Sequence, residues 1–219
     1  MENKHSKRIE SLISIPAVKR LNTLFKNNEK ELYLVGGSVR DALMGVDQTD
    51  LDFTTSAKPA ETESIVKKFA DNIWTTGAPY GTIAIRKGDY TIEITTYRKD
   101  VYRPESRNPE VTYSETLKED LVRRDFTINA MAVDLDKGTM TDYFGGINDL
   151  EERILRTPGN PDKSLEDDPL RMLRACRFVS TLAFNADKDL IEAIKRKTTT
   201  TPPAKNTTTK RKTTETKNY

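Results

Sequence analysis

Asp50-Leu51-Asp52 is the part of this chain whose residue types and spacing most directly imply chemistry. In an extended strand alternate side chains share a face, so Asp50 and Asp52 point one way while Leu51 and Phe53 point the other. Two carboxylates side by side in a partly enclosed cleft repel each other, and a divalent cation relieves that repulsion. Just upstream, the apolar run Leu32 to Val35 reads as a short strand leading into Gly36-Gly37-Ser38, a turn that permits close backbone approach before a helix beginning near Val39. Amides of Gly36 to Val39, with the Arg40 guanidinium, are placed to hold the β and γ phosphates of a nucleotide at that helix start. The expectation is a phosphate cradle beside a metal pair.

A third carboxylate comes from further along. Thr82 to Arg86 and Thr91 to Thr96 read as strands joined at Lys87-Gly88-Asp89. In the second, Ile92 and Ile94 share one face and Thr91, Glu93 and Thr95 the other. That sets Glu93 beside the aspartates on the open face of a mixed sheet whose apolar face carries the helices. Alone, a strand glutamate is more often a solvent-facing charge; beside an aspartate pair the two readings balance. The single histidine, His5, lies in a charged N-terminal stretch, so metal ions rather than histidine or zinc are the expected source of activation.

The elements that must position these groups follow from the pattern. Pro16 starts a helix carried to about residue 28 by Val18, Leu21, Leu24 and Phe25. Another begins at Ser56-Ala57-Lys58-Pro59 and runs through Phe69; Ile73 to Thr75 is a strand, Leu117 to Arg124 a helix, and Ala132 to Tyr143 a hairpin. Residues 99–113, with Arg103, Pro104, Arg107 and Pro109, show little periodicity and read as a long mobile loop. A helix starting at Pro169 lays Arg171, Arg174 and Arg177 along one stripe while Leu170, Leu173 and Phe178 pack elsewhere. Such a stripe is usually a wet helix face; Asp167 and Asp168 ahead of it could pair with it or help it read a base.

The chain has 219 residues, 35% hydrophobic and 32% charged, enough for one domain and part of a second. No run reaches the roughly 18 apolar residues of a membrane span. Met1 to Glu10 has no apolar signal core, and the lone Cys176, expected as a small core residue, rules out an internal disulfide; a cytoplasmic setting follows. From Lys197 to Tyr219, ten Thr and six Lys or Arg stand against one Glu, so the basicity behind the net charge of +2 belongs to this segment. With almost nothing to bury, it is expected to be a disordered, solvated tail.

In order, Leu34-Val35-Gly36-Gly37-Ser38-Val39-Arg40-Asp41, Thr49-Asp50-Leu51-Asp52-Phe53, Ile92-Glu93-Ile94-Thr95-Thr96-Tyr97-Arg98, Arg123-Arg124-Asp125-Phe126-Thr127-Ile128-Asn129-Ala130 and Asp168-Pro169-Leu170-Arg171-Met172-Leu173-Arg174-Ala175-Cys176-Arg177-Phe178 resemble the motifs of class II tRNA nucleotidyltransferases, the CCA-adding enzymes. Bacterial poly(A) polymerases share this head within the polymerase β-like superfamily. The resemblance spans about residues 20 to 196. It implies an α+β fold: a nucleotidyltransferase head over 16–155 after a flexible segment 1–15, then the start of an all-α neck over 156–196 and the tail 197–219. It implies template-independent addition of C, C and A to the tRNA 3′ end from CTP and ATP, with two Mg²⁺ ions and release of pyrophosphate. Asp50 and Asp52 are then the metal ligands and Glu93 the third catalytic carboxylate. Gly36, Gly37, Ser38, Arg40 and Arg124 contact nucleotide, while Asp168, Arg171, Arg174 and Arg177 face the base and triphosphate.

One departure is Asp167-Asp168 where the family pattern has Glu-Asp, with Glu166 one place too early. The other is length, because the family's helical body and tail domains are missing. Impaired activity is expected, and so is self-association through a neck helix over about 169–196 that exposes Leu182 and Phe184. The alternatives are a poly(A) polymerase using ATP alone and a non-catalytic nucleotide- or RNA-binding remnant.

Overall fold

The computed structural model describes residues 2–103 and 106–200, with side chains for 5–99 and 112–199. In chain order the elements are α1 (Glu2–Ile13), α2 (Pro16–Asn27), β1 (Leu32–Val35), α3 (Gly36–Met44), β2 (Asp50–Thr55), α4 (Pro59–Val66), β3 (Asn72–Trp74), β4 (Thr82–Lys87), β5 (Tyr90–Thr96), β6 (Arg98–Arg103) and β7 (Ser106–Tyr113). There follow α5 (Leu117–Val122), β8 (Met131–Asp134), β9 (Met140–Asp142), α6 (Gly146–Glu152), β10 (Ile154–Leu155), α7 (Pro161–Asp167), α8 (Leu170–Leu182), β11 (Asn185–Ala186) and α9 (Lys188–Thr200).

Seven strands form a mixed sheet in the order β3-β4-β5-β2-β1-β8-β9. All its pairings are antiparallel except β2 with β5. Alternation decides which side is dry. Leu34, Leu51, Phe53, Ile83, Ile85, Ile92, Ile94 and Val133 are buried on one face and join Val18, Leu21 and Phe25 of α2, Val39 and Leu43 of α3 and Val66 of α4 in a single core. The opposite face is largely open. One helix sits there: α5, whose Leu121 packs on Val35, Ala130 and Ala132 in a small second cluster. That placement brings the residues after α5 over the carboxylate strands.

Four expectations change. Residues 1–15, read as flexible, hold α1; amid the charges, Ile9, Leu12 and Ile13 recur at helical spacing, and Ile9 and Leu12 are buried. Within 99–113, read as a mobile loop, the described residues form the ribbon β6–β7, with Arg98 paired to Tyr113 and a register shift between Val101 and Arg103. The neck is two helices rather than one. α8 stops at Ala183, which turns left-handed (φ 54), and β11 then pairs with β10, burying Phe184 at 3% exposure while Leu182 is partly covered. Last, Cys176 is exposed, on the outer side of α8.

Helix α9 continues to Thr200, and most of the Thr/Lys-rich segment, 201–219, lies outside the described residues. Among the described residues no helix is long and apolar enough to cross a membrane.

Candidate active site

Strand alternation places Asp50 and Asp52 on the open face, with Leu51 and Phe53 each 1% exposed beneath. The parallel register of β2 and β5 sets Asp52 opposite Glu93 and Asp50 opposite Thr91. Burial raises the Glu93 carboxyl above its ordinary range, and the charges of Asp52 and Asp50 raise it further. Burial also raises Asp52, against the pull of Arg124, the amides of Gly37 and Ser38, and Arg40. Asp52 and Glu93 line one cavity of about 560 Å³. Asp50, at the exposed start of β2, does not line it, and among the described residues no three His, Cys, Asp or Glu side chains close into a preformed metal-holding group.

These donors nonetheless fit a hard divalent cation. Magnesium is ordinarily held by one or two carboxylates, with waters and substrate phosphates completing six oxygens. A cation between Asp52 and Glu93 would offset the burial that raises both and the Asp52 and Asp50 charges that raise Glu93 further.

The glycine segment is the first turn of α3 itself, which begins at Gly36 rather than near Val39. Gly36 has φ 67, and a Cβ there would stand 3.1 Å from Arg124 Nη1 and 3.2 Å from Asp52 Oδ2. At Gly37 a Cβ would stand 3.3 Å from Asp52 Oδ2. Both glycines therefore let the first N–H groups of the helix, which have no partner within it, lie against the carboxylate strand, where those of Gly37 and Ser38 reach Asp52. Ser38 is turned the other way: its buried hydroxyl accepts from the Asp52 amide at 2.7 Å and donates to the Asp50 carbonyl at 3.3 Å, so it pins α3 to β2.

Guanidinium groups form the walls. Arg40 donates twice to Asp41, at 2.8 and 2.9 Å, and once to Asn129 Oδ1 at 2.6 Å. Asp120, fully buried on α5, accepts from Arg123 at 2.7 Å and from Arg124 at 3.0 Å. Burial alone would raise its carboxyl, yet Arg124 and Arg123 hold it below the ordinary range. From the neck, Arg174 donates to Asp125 Oδ2 at 2.8 Å. Arg171, 7% exposed, donates to Ser164 Oγ at 2.6 Å and to the Arg123 carbonyl. Asp168 accepts from the Leu170 amide at 2.9 Å. Arg40, Arg174 and Arg177 gather round the Phe178 ring, 5.2, 5.7 and 5.0 Å from its centroid.

Of the residues marked by sequence, Gly36, Gly37, Arg40, Asp52, Glu93, Arg124, Asp168, Arg171, Arg174 and Arg177 line the cavity; Asp50 and Ser38 do not. Sequence reading missed Asp120, Asp125, Asn129 and Phe178. Asp125, Asn129 and Phe178 lay inside recognised motifs, and the signal for Asp120 was its spacing of three and four residues from Arg123 and Arg124 on one predicted helix.

Residues 32–156 match the poly A polymerase head domain. The CCA-adding enzyme of Lactobacillus helveticus is 45% identical over 166 residues, covering 75% of this chain and 40% of that protein. That of Lacticaseibacillus paracasei is 46% identical over 158 residues, covering 72% and 38%. Among solved structures, the Bacillus stearothermophilus CCA-adding enzyme in complex with CTP gives a TM-score of 0.72 at 37% identity, over 82% of this chain and 43% of that one. The Thermotoga maritima CCA-adding enzyme complexed with tRNA gives 0.69 at 29%, over 88% and 44%. The chain thus spans less than half the length of these relatives. It carries the sheet, the paired carboxylates and the glycine-started helix together, and it belongs to the poly A polymerase head domain family, the family of the CCA-adding enzymes.

Proposed function

We propose that this chain carries the nucleotidyl-transfer centre of a CCA-adding enzyme, which extends the tRNA 3′ end with C, C and A from CTP and ATP and releases pyrophosphate. The pairing of Asp52 with Glu93 in a cavity that seven arginines also line carries the reading. A polyanionic substrate would be drawn to those arginines, and Asp52 and Glu93, facing each other across two strands, would share a cation.

Asp52 and Glu93, with Asp50 beside them, would hold Mg²⁺, which when bound lowers the pKa of an attacking hydroxyl and neutralises triphosphate charge. The chain's own groups do the rest. The first amides of α3 and Arg40 receive the β and γ phosphates. Arg124, braced by Asp120, lies over Gly36 on the same side. Of the neck residues, Asp168, Arg174 and Arg177 face the base while Arg171 is held by Ser164 and the Arg123 carbonyl; an arginine donor and a carboxylate acceptor suit cytosine and, slightly shifted, adenine. The 3′-oxygen bonds to the α-phosphorus as the bond to the bridging oxygen breaks. The electron pair leaves on pyrophosphate, and Glu93, facing the same cavity, is the carboxylate placed to accept the hydroxyl proton. Such a substrate places the protein in the cytoplasm.

The test is incorporation of CTP and ATP, separately and together, into tRNA lacking its terminal residues, with Mg²⁺ and with EDTA. Extension that stops after CCA and vanishes in EDTA is expected. An A-only ladder would assign a poly(A) polymerase instead, and nucleotide binding without extension a non-catalytic remnant.

A further inference from the structure

We propose that the far edge of the cavity, formed by Thr82, Thr95 and Arg98, binds the terminal ribose and last phosphodiester of the RNA being extended. This rests on reading the site as a nucleotidyl-transfer centre. It adds where the second substrate must lie.

Strand order sets the direction from which the acceptor arrives. Helix α3 is fed by β1, and the sheet then runs through β2 (Asp52) and β5 (Glu93) to β4. At about 4.8 Å per strand, β4 lies roughly 14 Å from β1, with both carboxylates in between. Transfer at phosphorus needs the attacking and leaving oxygens in line on opposite sides. If the amides of α3 receive the leaving pyrophosphate, the attacking 3′-hydroxyl has to arrive from the β4 side.

The groups on that side suit it. Thr82 and Thr95 face each other across β4 and β5, their hydroxyls 2.9 Å apart, and both line the cavity. Thr95 follows Glu93 by two residues on the same face, about 7 Å along the strand. Ala84 is the residue opposite Glu93 on β4, so no bulky side chain separates Glu93 from that edge. Arg98 lines the same edge and is anchored by donation to the Tyr80 carbonyl at 2.5 Å. Two hydroxyls that can donate or accept match a ribose diol, and a fixed guanidinium matches one phosphodiester. A threonine pair across two strands is otherwise an ordinary sheet contact, so the test must separate binding from structure.

The test uses the full chain and a short RNA hairpin ending in C-C with a free 3′-hydroxyl. KM is measured for the RNA and for ATP, and affinity for the same RNA is measured by fluorescence anisotropy in EDTA. Thr82→Val and Thr95→Val keep shape and strand preference while removing the hydroxyl. Each is expected to raise the KM for RNA about tenfold with the KM for ATP within twofold, and Thr95→Ser is expected to restore it. An unchanged KM for RNA, or an equal rise for both substrates, overturns the proposal while leaving the nucleotidyl-transfer reading intact. If even the parent chain transfers nothing, that reading falls, and anisotropy decides alone: a tenfold weaker complex in the valine variants with serine rescue upholds an RNA-end site, and unchanged affinity removes it.

Discussion

Asp52 lies directly opposite Glu93 across the one parallel pairing of the seven-stranded sheet, and each carboxyl is held above its ordinary range. An acid whose folded pKa is raised weakens the fold once pH climbs above its unfolded value, because the ionised form is disfavoured in the native site. Asp52→Asn should therefore melt about 2 °C higher than the parent at pH 7 in EDTA, an advantage that fades near pH 4. Added Mg²⁺ should raise the melting temperature of the parent but not of the variant. Calorimetry across pH checks both. Nucleotide incorporation by Asp52→Asn or Glu93→Gln should fall more than a hundredfold, roughly 3 kcal/mol or more of lost transition-state stabilisation.

The two glycines opening α3 should respond differently to alanine. Gly36 is left-handed, with its Cβ position hemmed between Arg124 and Asp52, so Gly36→Ala should cost about 1–2 kcal/mol of stability as well as activity. Gly37 has no such backbone demand. Gly37→Ala should leave stability within about 0.5 kcal/mol while weakening triphosphate binding, because its methyl would crowd Asp52 Oδ2. Denaturant unfolding alongside nucleotide titration separates the two.

Asp120 supplies the opposite pH dependence. Its carboxyl is held low by Arg124 and Arg123, so its contribution to stability is complete above the ordinary carboxylate range and is lost as pH falls through the depressed folded value. Asp120→Asn should be clearly destabilised at pH 7, and the gap to the parent should narrow between about pH 4 and pH 2. Because Asp120 also braces Arg124, the variant should show a raised KM for nucleotide at neutral pH.

Arginines on one helix should divide between scaffold and substrate. Arg171 is buried and tied to Ser164 and the Arg123 carbonyl, so Arg171→Ala should lose about 2–3 kcal/mol of stability before any change in nucleotide selectivity is scored. Arg177 lies against Phe178 and lines the cavity. Arg177→Ala should leave the melting temperature within about 1 °C of the parent and raise the KM for nucleotide. Melting curves with steady-state kinetics on both variants check the division.

Local pattern was enough for much of the active face. Strand alternation alone put Asp50 and Asp52 on the side opposite Leu51 and Phe53, and put Glu93 opposite Ile92 and Ile94, because a period of two leaves no choice once one face is dry. The short apolar run before Gly36 and Gly37 likewise marked a strand passing into a helix start. Short-range pattern failed where charge hid a buried stripe, as in α1, and where pairing came from a distant segment. Ala183 and Phe184 read as a continuing helix until β11 found β10, some thirty residues back in the chain.

Tertiary structure alone decided which of the charged groups meet. Nothing local to Asp125 announces that Arg174 will reach it from 49 residues further along the chain, and nothing in the arginine stripe shows that Arg171 is tied to Ser164 while Arg177 packs on Phe178, although both line the cavity. The residue types and their faces follow from neighbours along the chain. That Arg174 meets Asp125, that Arg40 meets Asn129, and which members of the acid trio enter the cavity depend on register and helix placement between segments far apart in sequence, where burial and long-range pairing outweigh local preference.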